Sequence, residues 1–279
     1  MTHAARRSST LRICFAGAAL GAILAVAMAP ARTASALQLH HRPLIAVGAS
    51  QSNNWSGYNQ GTLEKNGTLF HQVSGDWVVP TATQRVANQA ESSATWVGIG
   101  GGRVDSSGLV GDNTLIQAGT SQDVDASGKA SYTAWWEIIP APSIPISLPV
   151  SAGNHVHVDV HETTPGMWSI TINNVSTGGS FNMTTPYTST YGTAEWIEET
   201  PVVVDSSGNV SVGPMPNLST VTFDQSQANN AAANLNASEA IQLVDFNGAV
   251  LETPSAPDVD FDGFNDCAFA SSCSAPTSS

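Results

Sequence analysis

No lysine or arginine follows Lys129 in this 279-residue chain. Nine basic residues stand against 22 acidic ones, and four of the nine (Arg6, Arg7, Arg12, Arg32) fall in the first 36 residues, where there is no acid. A chain cut after Ala36 therefore keeps five bases and a net charge of −17. Such a surface repels phosphate backbones and anionic lipid headgroups, so nucleic acid and membrane are excluded as partners. It also has few ion pairs to lose as carboxylates protonate, and its self-repulsion fades in acid.

Cysteine is scarce as well. Cys14 sits in the leader, which leaves Cys267 and Cys273, an even pair in an exported chain that is expected to close a small C-terminal loop. Two thiols are too few for a metal site of their own. Long apolar runs are missing except for Phe15–Ala29, which is too short, and too closely followed by Pro30 and Arg32, to anchor in a bilayer. Preceded by three arginines and followed by the A-x-A site Ala34-Ser35-Ala36, with Ala27-Met28-Ala29 as a second choice, it reads as a secretory signal peptide over 1–36. Only Ser and Thr follow Arg6-Arg7 directly, which favours ordinary secretion over a twin-arginine route. The mature protein is expected outside the cell.

Helix signals are almost absent. Short β-branched and aromatic runs alternate with Gly, Asn, Asp and Ser clusters, the pattern of an all-β antiparallel sandwich or barrel. Strands are expected at 55–58, 69–79, 95–99, 115–119, 132–139, 155–162, 168–173, 180–184, 194–198, 220–223, 240–246 and 250–252. The Asn/Ala-rich run Ala228–Ala237 is the one plausible helical turn, and otherwise a long surface loop. Residues 37–53 show no clear periodicity and read as a short propeptide or an unstructured entry, 54–270 as the folded domain, and 271–279 as a disordered tail. Three tetrads, Asp105-Ser106-Ser107-Gly108, Asp125-Ala126-Ser127-Gly128 and Asp205-Ser206-Ser207-Gly208, are turns by composition. Their spacing differs by one residue from the catalytic Asp-Thr/Ser-Gly loops of aspartic proteases, and the apolar flanks of those loops are missing.

There is no G-x-S-x-G elbow, H-E-x-x-H, Walker loop or helix-opening G-x-G-x-x-G. The ladder His155-Val156-His157-Val158-Asp159-Val160-His161 places three histidines and an aspartate on one face of a strand. It could offer two metal ligands, but no second cluster completes a coordination shell, so a polar outer face is the preferred reading. Asp258-Val259-Asp260-Phe261-Asp262-Gly263 opens like a calcium loop, with Asp266 at the ninth position. The twelfth position is Phe269 rather than a bidentate Glu, so an acidic turn is preferred and no metal or other cofactor is expected.

What remains is an ordered series: Asn54-Trp55-Ser56-Gly57, Thr95-Trp96-Val97-Gly98-Ile99, Leu115-Ile116-Gln117-Ala118-Gly119, Tyr132-Thr133-Ala134-Trp135-Trp136-Glu137, and Ala194-Glu195-Trp196-Ile197-Glu198. A carboxylate among Trp and Ile has a pKa that burial can tune. A glutamine facing it would donate and accept hydrogen bonds without ionising. In order and spacing the series strongly resembles the glutamic peptidases (eqolisins), in their bacterial form, from about Asn54 to Phe246. That resemblance implies a sandwich of two long, curved antiparallel sheets with the active site on a concave face. It also implies a catalytic dyad of Gln117 and Glu195, a second cleft acid at Glu137, and cleft aromatics at Trp55 and Trp96. Gly100 and Ser121 stand where fungal members usually carry Asp, and the fungal disulfide near the Gln motif is missing.

The expected function is a secreted acid endopeptidase in which water attacks the peptide bond directly, acting on protein or peptide substrates as a monomer. The alternatives are a carbohydrate-binding sandwich whose tryptophans stack on sugars, and a glycosidase using Glu137 with Glu195.

Overall fold

The computed structural model describes residues 38–40, 46–48, 50–61, 67–102, 112–204 and 210–277. The expected signal peptide over 1–36 and the tetrads at 105–108 and 205–208 lie outside them. Two antiparallel sheets face each other. The first runs, edge to edge, Ala130–Ile138, Leu115–Val124, Glu91–Gly100, Ala194–Glu199, Trp55–Gln60. The second runs Gly179–Pro186, Met167–Asn174, His155–Thr164, Gln72–Val78, Val221–Ala228, Phe264–Ala268, Val250–Pro254. Strand Ala240–Val244 joins them along one edge, pairing through Ala240 and Ile241 with the first sheet and through Leu243 and Val244 with the second.

All twelve expected strands are present, because period-two alternation is what a sheet with one face in the core imposes. In His155–Thr164 the valines point inward against Ile170, Ile172 and the tryptophans, while the histidines and Asp159 face out. Each outward histidine meets a carboxylate: His155 and His157 share the two oxygens of buried Asp76, at 2.7 and 2.5 Å, and His161 contacts Asp159. The core between the sheets takes Trp77, Val158 and Trp168 from the second sheet and Val97, Ile116 and Trp196 from the first.

Several boundaries differ from expectation. Gln38–His40 pairs with Val202–Val204, and Ala46–Gly48 with Gln51–Ser52, so the entry segment contains strands rather than being unstructured. Isolated three-residue strands leave no periodicity to read. The run from Ala228 is a hairpin: Asn229 and Asn230 both adopt positive φ (53° and 61°), which suits a two-residue turn, and Ala231 pairs back on Ala228. The helical turn, a 3-10 turn, starts only at Ala237, where Asn236 and Glu239 form a capping box. The disulfide Cys267–Cys273 forms as expected, and it carries the ordered chain past residue 270. Asn265 Nδ2 donates to the Ser274 carbonyl, so the tail is tied down there as well. Asp125-Ala126-Ser127-Gly128 is a turn in which the Asp125 carboxylate accepts from the Ser127 and Lys129 amides.

Three carboxyls are fully buried on the inner side of the sandwich near its joined edge: Glu198, Glu252 and Asp266. Glu198 accepts from Gln122 Nε2 at 2.9 Å and Thr95 Oγ1 at 2.5 Å, and Asp266 accepts from Ser56 Oγ at 2.8 Å. Burial raises the pKa of all three, Glu198 to about 7 against the opposing hydrogen bonds of Thr95, Ser93 and Gln122; the charges of Asp266 and Glu198 raise Glu252 further, and that of Glu198 raises Asp266.

Candidate active site

Cross-strand register places one residue from each of five neighbouring strands in a single row of the first sheet: Asn59, Glu195, Gly98, Gln117, Glu137. Residues directly opposite across a ladder share a face. Glu195 and Gln117 therefore project from the same surface, two strand spacings or about 9–10 Å apart at the backbone. Between them stands Gly98, where neighbouring side chains close over the place a side chain would take. A methyl group there would lie 3.0 Å from Gln117 Cβ, Leu115 Cδ1 and Trp96 Cζ3.

This face is the one turned away from the sandwich core. Alternation along the same strands gives it a separate apolar cluster of Trp55, Ala94, Trp96, Leu115, Trp135 and Ile197. Trp55 and Trp96 pack edge to face with centroids 5.0 Å apart. Both are buried, so they form the floor of the face rather than free-standing rings.

Glu195, Gln117 and Glu137 have no exposed surface in the full-length chain. Gln117 Nε2 donates to Glu137 Oε2 at 3.2 Å, which fixes the amide on the side remote from Glu195. Among the described residues, neither oxygen of Glu195 has a hydrogen-bond partner of normal geometry. Burial pushes the Glu195 carboxyl well above the usual carboxylate range; nearby Thr193 and the Gly102 amide lower it part-way, and the charge of Asp112 raises it. Gly102 is pressed close: a methyl group on it would sit 2.7 Å from Glu195 Oε1 and 2.6 Å from Asn59 Oδ1. Asn59 Nδ2 in turn donates to the Gly102 carbonyl at 2.6 Å.

All five residues singled out in the sequence thus lie on this one face. Glu199 was missed. Positions 195, 197 and 199 alternate onto the same side, whereas Glu198, the acid quoted in the motif, points into the core. Glu199 is fully buried, accepting from Trp96 Nε1 at 2.8 Å and Asn54 Nδ2 at 3.1 Å. Burial, then the nearby Glu137, raises its pKa well above normal, while its hydrogen bonds oppose the rise. The strict alternation of a strand was the signal that could have found it.

In the acidic C-terminal motif, two of the acids join a third from elsewhere in the chain in a group of carboxylates that could hold a metal ion. Asp258 and Asp262 converge with Asp224, from another strand, to within 4.8 Å, while Asp266 turns into the core. Asp258 Oδ1 accepts from the Asp262 and Gly263 amides, which is turn chemistry. Among the described residues no helix is long and apolar enough to cross a membrane.

With this geometry in view, comparison with known proteins is informative. The chain matches the Peptidase A4 family over residues 53–261. It is 25% identical over 227 residues to aspergillopepsin-2 of Aspergillus niger, covering 73% of this chain and 74% of the relative. Its fold resembles that of scytalido-glutamic peptidase bound to a transition-state analogue inhibitor (TM-score 0.59, 22% identity, 77% of this chain and 98% of the other). It also resembles SCP-B, a member of the eqolisin family crystallised with the tripeptide Ala-Ile-His (TM-score 0.54, 21% identity, 77% and 98%).

Proposed function

The chain belongs to the Peptidase A4 family and is a peptide hydrolase, and from that premise we propose that it is a secreted acid endopeptidase working through Glu195 and Gln117. The observation that carries this reading is the shared row: a carboxyl and an amide on one face, with a glycine at the position between them. One water molecule is held between the two groups. Ionised Glu195 takes a proton from it as it attacks the scissile carbonyl, and the Gln117 N–H stabilises the oxyanion. Glu195 then passes the proton to the leaving nitrogen. Neither residue is a nucleophile, so no acyl-enzyme forms.

Burial favours the neutral form of Glu195 before substrate binds. A hydrogen bond from the attacking water favours the ionised form, and the acid limb of the activity profile reports the balance. Because Glu195 and Gln117 are shielded in the full-length chain, peptide binding has to displace whatever overlies them. Processing at Ala36, and removal of 37–53 as a propeptide, are part of the proposal. Gly100 and Ser121 fit the bacterial rather than the fungal form of the family, and a monomer acting on proteins or peptides completes the reading.

Digestion of denatured casein in mild acid, with pepstatin present, tests the function: proteolysis should persist. Loss of activity with pepstatin, or sugar hydrolysis without proteolysis, would sink it. A sugar-stacking platform needs exposed rings, whereas Trp55, Trp96 and Trp135 are at most 2% exposed.

Gly102→Ala offers a finer check. Its methyl group would intrude on Glu195 Oε1 and Asn59, so turnover should fall by about 10²-fold, the scale of a one-ångström misplacement. The fold should survive, as judged by circular dichroism. An unchanged rate would show that Glu195 need not hold this position.

A further inference from the structure

We propose that Glu199 is a positioning residue for this site, holding the Trp96 indole at the floor of the row between Gln117 and Glu195. The inference rests on the dyad reading above. Glu199 presents both oxygens to fixed donors, Oε2 to Trp96 Nε1–H and Oε1 to Asn54 Nδ2–H. Trp96 is fully buried, and its six-membered ring reaches along the sheet until Cζ3 would lie 3.0 Å from a methyl group on Gly98. The edge of the indole therefore takes part of the place beside Gly98 that a side chain would fill, between Glu195 and Gln117 in the row. On its other side Trp96 packs against Trp55, whose Cη2 would come within 3.5 Å of a methyl group on Gly101, next to the Gly102 that abuts Glu195. One buried carboxyl thus fixes a ring that touches the row from below and, through Trp55, from the side.

Stability does not explain it. A buried carboxyl loses its hydration, and an apolar residue of similar volume is often neutral or better at such a place. What a carboxyl adds over an apolar group is two oxygens in fixed directions, which when protonated still accept, one through its carbonyl and the other through a hydroxyl lone pair. An indole held only by packing can rock about its bonds to the backbone, whereas one whose N–H is anchored cannot without breaking the bond. Glu199→Gln keeps the shape but replaces one acceptor by an N–H₂ that faces an incoming donor. Trp96→Phe keeps a ring and removes the donor.

The test compares these two variants, their double, and Glu195→Gln, in kcat and KM for a quenched-fluorescence peptide in mild acid. Glu199→Gln and Trp96→Phe should each lower kcat by about 10- to 100-fold with KM within about threefold. The double variant should be no worse than the poorer single, because both remove the same contact. The near-UV dichroism of the buried tryptophans should change in Glu199→Gln while the far-UV signal does not. A kcat near wild type in either folded variant, a rise in KM alone, or losses that multiply in the double would each overturn the proposal. If Glu199→Gln does not fold, Trp96→Phe decides. Glu195→Gln that still turns over would overturn the dyad reading and this inference with it; an inert Glu195→Gln beside a fully active Glu199→Gln removes the inference alone.

Discussion

Glu195→Gln should lower peptide hydrolysis by about 10³-fold or more, with the fold intact, since it removes the only proposed proton carrier while keeping the side chain's shape. The carboxyl is buried with no hydrogen bond of normal geometry among the described residues, so an amide of the same size costs the folded state little. Gln117→Ala should cost about 10²–10³-fold, the scale of one oxyanion donor. The double variant should lose little beyond the worse single, because the two side chains act on one water and one carbonyl. Glu137→Gln should be milder than either, since Glu137 touches Gln117 on the side remote from Glu195. Initial rates on a denatured protein substrate, with circular dichroism as the control for folding, check all four. A greater loss in Glu137→Gln than in Glu195→Gln would mean that the other carboxylate does the chemistry.

The second large effect concerns pH and stability. Glu198, Glu252 and Asp266 are buried together, and burial raises the pKa of each in the folded chain, Glu198 from 4.5 to about 7. The folded chain then holds protons that the unfolded chain has already released. Their contribution is complete below the unfolded pKa values near 4, declines as pH rises, and is lost once pH passes the folded pKa. For Glu198 alone the loss is on the order of 3 kcal/mol, which is a large share of the stability of a typical domain. No lysine or arginine follows Lys129, so the half of the chain that carries these acids has no permanently charged cation of its own to compensate. His157, raised by its bond to Asp76, works in the same direction. The lowered carboxyls of Asp125 and Asp245 oppose it, but both are exposed at turns and carry little weight.

The melting temperature should therefore be highest in acid and fall steadily between about pH 4 and 7. Glu252→Gln should flatten that fall and raise the melting temperature at neutral pH above that of the natural chain. A curve that is level, or that rises across this range, would show that the buried acids do not govern the stability. The low basic content and fading self-repulsion noted in the sequence point the same way, but the dominant cause is burial, which composition does not reveal.

How much was legible in the residues varied with how local the cause was. The alternation His155–His161 fixes which side of its strand faces the core, because the pleat has the same period as the sequence. The turn Asp125–Gly128 is written in its own side-chain hydrogen bonds. Phe264–Ala268 was not visible as a strand: its pattern is broken by Asn265 and Asp266, and the latter faces inward only because Ser56 and the neighbouring acids meet it there. Glu198 and Glu199 carry the same side chain, yet one enters the core and the other joins the site, because successive strand residues face opposite sides and Glu199 alternates with Glu195. The row through Glu195, Gly98 and Gln117 rests on pairing across long sequence separations. The motifs supplied the residue types; the place of Gly98 between them needed the sheet.

A crystal structure of the processed enzyme in acid with a tetrahedral peptide analogue tests the central claim most directly. One oxygen of the analogue should lie within about 3 Å of Gln117 Nε2, and a second within hydrogen-bond reach of the Glu195 carboxyl, both above Gly98. An analogue bound elsewhere, or one reaching Glu137 and Glu199 while leaving Glu195 untouched, would contradict the account.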